Sequence, residues 1–222
     1  ISFLDKYKGD TANTHRYVSV VTFNTYASVT QGWLDVSVQK NYNTVKSAIN
    51  NLSAGGGTNL EQGLDNAKSQ LSKDTVKAIT SKNVIALTDG EPTFYGNARN
   101  WSNDYQEHVP NGHGQKCDES TYNATKTAAT NLKNTDAKLY TVCFGAANDK
   151  IKEYDDGNSP HVDITVGDFL KSKIATPAAD GKNYAYKADN TTELMDAFKA
   201  ITDTIVNGLN SGTVTDPMGD NV

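Results

Sequence analysis

This chain is short of several things that would have placed it at once. It has only two cysteines, five prolines and two tryptophans in 222 residues, and 21 Lys and Arg against 26 Asp and Glu, a formal net charge of −5. Without a basic excess it lacks the electrostatic footprint of a nucleic-acid or anionic-membrane binder, and the mild acidity is ordinary solubility. No run approaches the ~20 apolar residues of a membrane span, and no basic-then-apolar leader opens the chain. Ile1–Tyr7 reads as the last turns of an amphipathic helix, opening in the middle of an element, so the chain is expected to be part of something longer. Signatures of catalysis are missing too: there is no G-x-S-x-G elbow, no HExxH and no CxxC, and Gly55-Gly56-Gly57-Thr58-Asn59 lacks the Lys-Ser/Thr pair of a phosphate loop. No enzymatic activity is expected.

What is present has a regular plan. Tyr17–Phe23 is a β-branched run of strand length; a turn at Asn24-Thr25 leads to Tyr26–Thr30, with a further strand at Trp33–Val38, and together these suggest a short antiparallel hairpin at a sheet edge. Val45–Leu52 has helical spacing, as do Leu60, Leu64, Ala67 and Leu71, with Thr58 and Glu61 spelling a capping box. Asn83–Thr88 and Lys138–Phe144 are continuous apolar runs, the pattern of parallel strands covered on both faces. Tyr122–Leu132, Phe169–Ile174 and Thr192–Leu209 read as helices, Tyr184–Lys187 as a strand. Strands alternating with helices in this way predict an α/β domain with a doubly wound, mostly parallel sheet over 1–209. Residues 210–222 read as an exit strand or linker to a following domain.

Between Thr93 and Ser120 the chain is polar and aromatic and is expected to be an irregular loop, a length that is usually functional. Its Tyr95, Trp101 and Tyr105 are candidate contact anchors. His108, His113 and Cys117 have a loose zinc-like spacing without an assured fourth ligand, so zinc is not expected. Asp155 to Asp163 is oxygen-rich but lacks EF-hand spacing and reads as a solvated loop. Cys117 lies in that polar stretch, where a lone exposed thiol is a liability, so a disulfide with Cys143 is expected. If the thiols are free instead, Cys143 is a small core residue.

Two features fall on the carboxyl-terminal edge of the predicted sheet, where ligands bind in such folds. The glycine-rich loop 55–57 brings Thr58 and Asn59 to a helix start, and Thr88-Asp89-Gly90-Glu91 puts a carboxylate just past a buried strand. Taken singly, Thr58 is a helix cap and Asp89-Gly90 a turn. Together they offer the hard oxygen ligands that Mg²⁺ or Mn²⁺ prefers.

Val18–Phe23, GGGTNLEQGL (55–64), VIALTDGEP (84–92) and LYTVCFG (139–145), in that order, resemble the von Willebrand factor A (VWA) family. The stretches DFLKSKIA (168–175) and YAYKADNTTELMDAFKAI (184–201) resemble its members among Gram-positive surface and pilus-tip adhesins. The resemblance implies a Rossmann-like fold and a metal-ion-dependent adhesion site (MIDAS), with Thr58 and Asp89 as metal ligands and Asn59, Gly90 and Glu91 beside them. It also implies an Asp-x-Ser-x-Ser loop after a first strand, and no such motif occurs in the chain. The domain is therefore expected to lack its first strand, leaving a gap in the sheet. Mg²⁺, or Mn²⁺ or Ca²⁺, would belong to the intact protein and bind weakly or not at all here. The family's setting implies a cell-surface or pilus location, a role in virulence, cell-wall anchorage through other regions, further domains on the same polypeptide, and a host or extracellular-matrix protein as partner, with no nucleic acid and no membrane insertion. A structural or docking module with a vestigial metal site is the alternative.

Overall fold

Nine strands and their helices are set by the computed structural model, which describes residues 5, 15–155, 157, 159–179 and 184–210, with side chains as far as 206. In chain order they are β1 (Tyr17–Phe23), β2 (Ala27–Asp35), α1 (Gln39–Asn50), α2 (Leu60–Leu71), α3 (Asp74–Lys77), β3 (Asn83–Thr88), β4 (Phe94–Ser102), β5 (Glu107–Gly112) and α4 (Glu119–Lys133). There follow β6 (Lys138–Phe144), β7 (Lys150–Lys152), β8 (Asp163–Thr165), α5 (Val166–Phe169, continued by a π-turn over Leu170–Ile174), β9 (Ala185–Ala188) and α6 (Thr191–Asn210). The expected helix at Ile1–Tyr7 and the segment Thr213–Val222 lie outside the described residues, apart from Asp5, which is helical and accepts a hydrogen bond from the Tyr42 hydroxyl.

β3, β6 and β9 form a three-stranded parallel sheet in that order, with Asn83 beside Lys138, Thr88 beside Cys143 and Thr141 beside Ala185. The period of two along β6 sorts its side chains between two layers. Leu139 and Cys143 join the core formed with Leu60, Leu64, Tyr122, Leu132 and Phe169 of α2, α4 and α5. Tyr140 and Val142 face the other way, into Tyr184, which precedes β9, and Ala197 and Ile201 of α6. Helices thus cover both faces, which is why the run had to be apolar throughout.

β1 and β2 form a separate antiparallel hairpin. Its single long second strand replaces the two short ones expected from sequence. Register shifts near Val18–Val21 let one strand continue through the bend. Val18 and Val20 pack with Val36, just past β2, and Tyr42 and Val45 of α1, joined by Val206 of α6, while Phe23 packs towards α2.

Asp35 closes the hairpin. Its carboxylate accepts from Ser37 N at 3.0 Å, Ser37 Oγ at 2.7 Å, Arg16 N at 3.3 Å and meets His15 Nδ1 at 2.6 Å. Burial alone would raise its pKa, but the bonds to Ser37, His15 and Arg16 outweigh it and hold the group at about 2. A depressed carboxyl stabilises the fold above its unfolded pKa, and that contribution is lost as pH falls through the folded value. Asp35→Asn should therefore cost about 1–2 kcal/mol at neutral pH and almost nothing near pH 2. Urea titrations of both proteins at the two pH values measure the difference.

Among the described residues β1 pairs only with β2, and β3 only with β6. The carboxyl ends of β1 and β3 nevertheless meet at the same loop, because Asn59 N donates to Asn24 O at 2.7 Å while Thr93 N donates to Thr58 O at 2.8 Å. The two strands run the same way with an open cleft between them. Such a break is what the resemblance led us to expect of a sheet without its first strand.

Two local expectations are corrected and one is met. Residues 93–120 are no irregular loop: β4 and β5 form an antiparallel hairpin, with a register shift between Tyr95 and Asn100. The oxygen-rich stretch 155–163 is a largely exposed loop among its described residues, as expected, running into β8, which pairs with β7; Asp155 pairs with Lys126 and Lys173, and Asp163 with Lys152 at 2.7 Å. The disulfide is not formed: Cys117 and Cys143 are both free and both buried. Cys117 is 5% exposed, not the solvent-facing loop thiol its neighbours in sequence suggested.

Candidate functional site

The site is built at the start of α2. Asn59 is its N-cap, and its side-chain oxygen accepts from Gln62 N at 3.1 Å. This displaces the capping box expected from Thr58 and Glu61 by one residue. Glu61 turns away to accept Gly96 N at 2.7 Å. Burial raises the pKa of its carboxyl, and the Gly96 N–H works against that rise. The shift matters for Thr58, because its hydroxyl is not spent on capping. Thr58 is held by its backbone instead: its N–H donates to Thr93 Oγ1 at 2.9 Å, and its carbonyl accepts from Thr93 N and Phe94 N. A side-chain atom at Gly90 would lie 3.9 Å from Thr58 Oγ1, so the glycine leaves the hydroxyl open space on that side.

Asp89 follows directly on β3 and is exposed. Behind it, Thr88 is buried and its hydroxyl donates to Gly90 O at 3.0 Å, which fixes the turn. Among the described residues neither the Thr58 hydroxyl nor the Asp89 carboxylate has a hydrogen-bond or ion-pair partner. Two hard oxygen donors of different elements thus stand unengaged on one edge, a donor set that suits Mg²⁺ or Mn²⁺ in kind. It falls short in number: among the described residues no group of three His, Cys, Asp or Glu comes together. These two residues could contribute to a cation site but could not alone satisfy an octahedral ion.

The remaining candidates separate. Asn59 is fully buried, so its side chain is closed to a partner. Its amide instead donates to Gly96 O at 2.9 Å and Thr25 O at 3.2 Å, pinning the β1–β2 turn and the β4 hairpin to α2. Glu91 is half-buried and accepts Cys117 N at 2.7 Å; burial raises its pKa, the Cys117 N–H lowers it, and Asp149 adds to the rise. Tyr105 packs edge-on to Phe94 at 6.1 Å and donates to His113 O, and Tyr95 is half-buried. Trp101 is 57% exposed, standing edge-on to His108 on the same hairpin. His113 pairs with Asp118 at 3.3 Å while His108 bonds Arg99 O, so the zinc-like trio does not assemble. One contributor went unnoticed in sequence: Tyr26 donates to Ala98 O and His108 O and carries Arg99 over its ring at 4.9 Å, bracing the hairpin against the β1–β2 turn. An aromatic next to the Asn24-Thr25 turn was its only signal.

The thiols near this edge are inert. Burial first, then the charges of Glu91 and Asp118, push Cys117 up to about 12, and burial pushes Cys143 up to about 11. At pH 8 their thiolate fractions should lie about two to three orders of magnitude below those of free cysteine. Ellman's reagent should therefore leave the native chain almost unlabelled and titrate both thiols rapidly in denaturant. Fast native labelling would contradict the burial.

Residues 2–91 match the family model of the von Willebrand factor type A domain. No curated protein sequence matches the chain. Among solved structures, the pilus adhesin SpaC from Lactobacillus rhamnosus GG in its open conformation is similar over 93% of this chain and 27% of its own, at 16% identity and a TM-score of 0.63. A mutant of the PilB minor pilin from Streptococcus sanguinis is similar over 96% of this chain and 54% of its own, at 18% identity and a TM-score of 0.61. The conserved hypothetical protein BatB from Bacteroides thetaiotaomicron covers 95% of this chain and 84% of its own, at 17% identity and a TM-score of 0.53. The chain thus spans about a quarter of the adhesin (27%) and about half of the minor pilin (54%).

Proposed function

Starting from a chain whose fold is that of a von Willebrand factor type A domain, we propose that it is a non-enzymatic adhesion or docking module. Its partner-binding surface is the carboxyl-terminal edge of the sheet, around Thr58, Asp89 and the β4–β5 hairpin. The observation that carries this reading is the pair of unengaged oxygen donors there, a hydroxyl freed by the one-residue shift of the helix cap and a carboxylate lifted clear of β3. A divalent cation held partly by Thr58 and Asp89 would present an open coordination position to an acidic group of the partner. The remaining ligands come from outside these residues. Trp101 on the neighbouring hairpin supplies an aromatic anchor of the kind that dominates protein interfaces. The pilus proteins among its structural neighbours support an extracellular, surface-exposed setting and a host or matrix protein as partner.

Adhesion of the polypeptide that contains this chain to an extracellular-matrix preparation tests the reading. Binding is expected in Mg²⁺, at least ~10-fold weaker in EDTA, and equally weakened by Asp89→Ala in Mg²⁺, the loss of one charge-assisted contact at a metal. Equal adhesion in all three would leave the second reading, a docking module with a vestigial metal site, which the small number of oxygen donors at this edge favours.

A further inference from the structure

The outer face of the β4–β5 hairpin carries a second unengaged group, apart from Thr58 and Asp89. Trp101 and His108 lie opposite each other in the register, while the pairs on either side, Asn100 with Val109 and Ser102 with Glu107, point to the other face. Val109 is buried there, and both Trp101 and His108 face solvent. The register shift between Tyr95 and Asn100 leaves Arg99 without a ladder partner among the described residues, and such irregularities re-aim side chains. Arg99 turns onto the Tyr26 ring at 4.9 Å. Among the described residues its guanidinium has no hydrogen-bond acceptor and no carboxylate, in a chain whose formal net charge is −5. Stacking sets the plane of the fork without satisfying its donors. His108 links Arg99 to Trp101: its Nδ1 donates to Arg99 O at 3.2 Å, since a carbonyl can only accept, and its ring meets Trp101 at 5.4 Å and 76°. Trp101 is 57% exposed and its indole N–H is already given to Asn103 Oδ1 at 3.1 Å, so what it offers a ligand is its π face.

We propose that this face binds a carboxylated sugar, a uronic acid unit of an extracellular polysaccharide. The carboxylate accepts two N–H groups of the Arg99 fork. The C–H side of the pyranose ring lies on the Trp101 indole, whose negative π face attracts it. Neutral His108 keeps Nε2 as an acceptor for a sugar hydroxyl, and the Asn97 amide stands exposed in the same irregular stretch as Arg99. The two acids of the hairpin lie off this face: Glu107 points to the other side, and Asp104 belongs to the turn beyond Trp101. An acidic peptide would need only Arg99. A uronic acid uses the fork, the flat indole and the hydroxyl acceptor together. This site goes beyond the metal-dependent reading, needs no cation and is measured in EDTA, so failure of either leaves the other standing.

The test titrates a hexasaccharide of alternating glucuronic acid and N-acetylglucosamine into the isotopically labelled 222-residue chain in EDTA. An N-acetylglucosamine hexamer is the neutral control and a glutamate hexapeptide the acidic one. The Trp101 indole N–H resonance is expected to move with the first ligand, while that of Trp33, bonded to Gln70 O, stays in place. Affinity for the uronate should exceed that for either control at least ~10-fold. Arg99→Gln should weaken binding at least ~10-fold, and Arg99→Lys, which keeps the charge but loses the fork, should not restore it. Trp101→Ala should weaken it at least ~10-fold as well. Both positions are exposed, so denaturant midpoints should match the wild type and show that the variants fold. Equal binding of the glutamate peptide would make this an acidic-peptide site and overturn the proposal. So would equal binding of the neutral hexamer, a Trp101 resonance that does not move, or an affinity indifferent to the Arg99 variants.

Discussion

Gly112→Ala is expected to destabilise the chain by about 2–6 kcal/mol. Gly112 ends β5 at φ 111°, where an L-side chain is strained, and an added Cβ would sit 2.5 Å from the Thr93 carbonyl oxygen and 3.0 Å from Phe94 Cα. Both obstacles are backbone, so neither can swing aside. The estimate combines backbone strain of about 1–3 kcal/mol with overpacking of about 1–3 kcal/mol. The consequence reaches the site, because Thr93 is the residue whose N–H and hydroxyl hold both ends of the Thr58 peptide. Gly32→Ala is the control: nothing lies within 4 Å of its added Cβ, and the substitution should be silent to within ~0.5 kcal/mol. Denaturant midpoints of the two variants decide it, and equal midpoints would mean that the hairpin base yields freely.

Asn59→Ala is the second large effect, expected at about 2–5 kcal/mol. It removes a helix cap, about 1–2 kcal/mol, and strands the carbonyls of Thr25 and Gly96, which its amide reaches at 3.2 and 2.9 Å, in a place where Asn59 itself is 0% exposed. Unsatisfied buried acceptors cost about 1–3 kcal/mol. Asn59→Asp separates the two contributions, keeping the cap oxygen while replacing the donating amide with a carboxylate. It should retain α2 yet loosen the β4–β5 hairpin, visible as faster amide exchange at Gly96. If Asn59→Asp matched the wild type there, the amide contacts would carry no weight.

How much of this was legible in sequence depends on what each segment packs against. β1, β3 and β6 could be read to the residue: β3 and β6 are continuous apolar runs, and β1 is a β-branched run that stops at the Asn24-Thr25 turn. The β4–β5 hairpin could not. It is a two-stranded ribbon with exposed Asn97, Arg99 and Asn100, its register shifts between Tyr95 and Asn100, and its stability comes from Tyr26, Asn59 and Glu61, which are remote in sequence. The helix start was read one residue early, since Thr58 and Asn59 are both good caps and only the tertiary claim of Thr93 on the Thr58 backbone chooses between them. The cysteines were misread for a similar reason. A polar neighbourhood in sequence said nothing about Cys117 being carried beneath Glu91 and into the core. The gap in the sheet was expected from a motif that the chain lacks, and its apolar lining became visible only when β1 and β3 were placed.

Where a divalent ion sits tests the central claim most directly. Mn²⁺ added to isotopically labelled chain broadens the amide resonances nearest to it, even when binding is weak. The account expects broadening centred on Gly57–Asn59 and Thr88–Glu91, sparing Asp155 and Asp163, and lost in an Asp89→Asn variant whose remaining spectrum is unchanged. Broadening centred on Asp155–Asp163, or broadening around Thr58 that survives Asp89→Asn, would contradict the assignment of this edge as the metal-bearing surface.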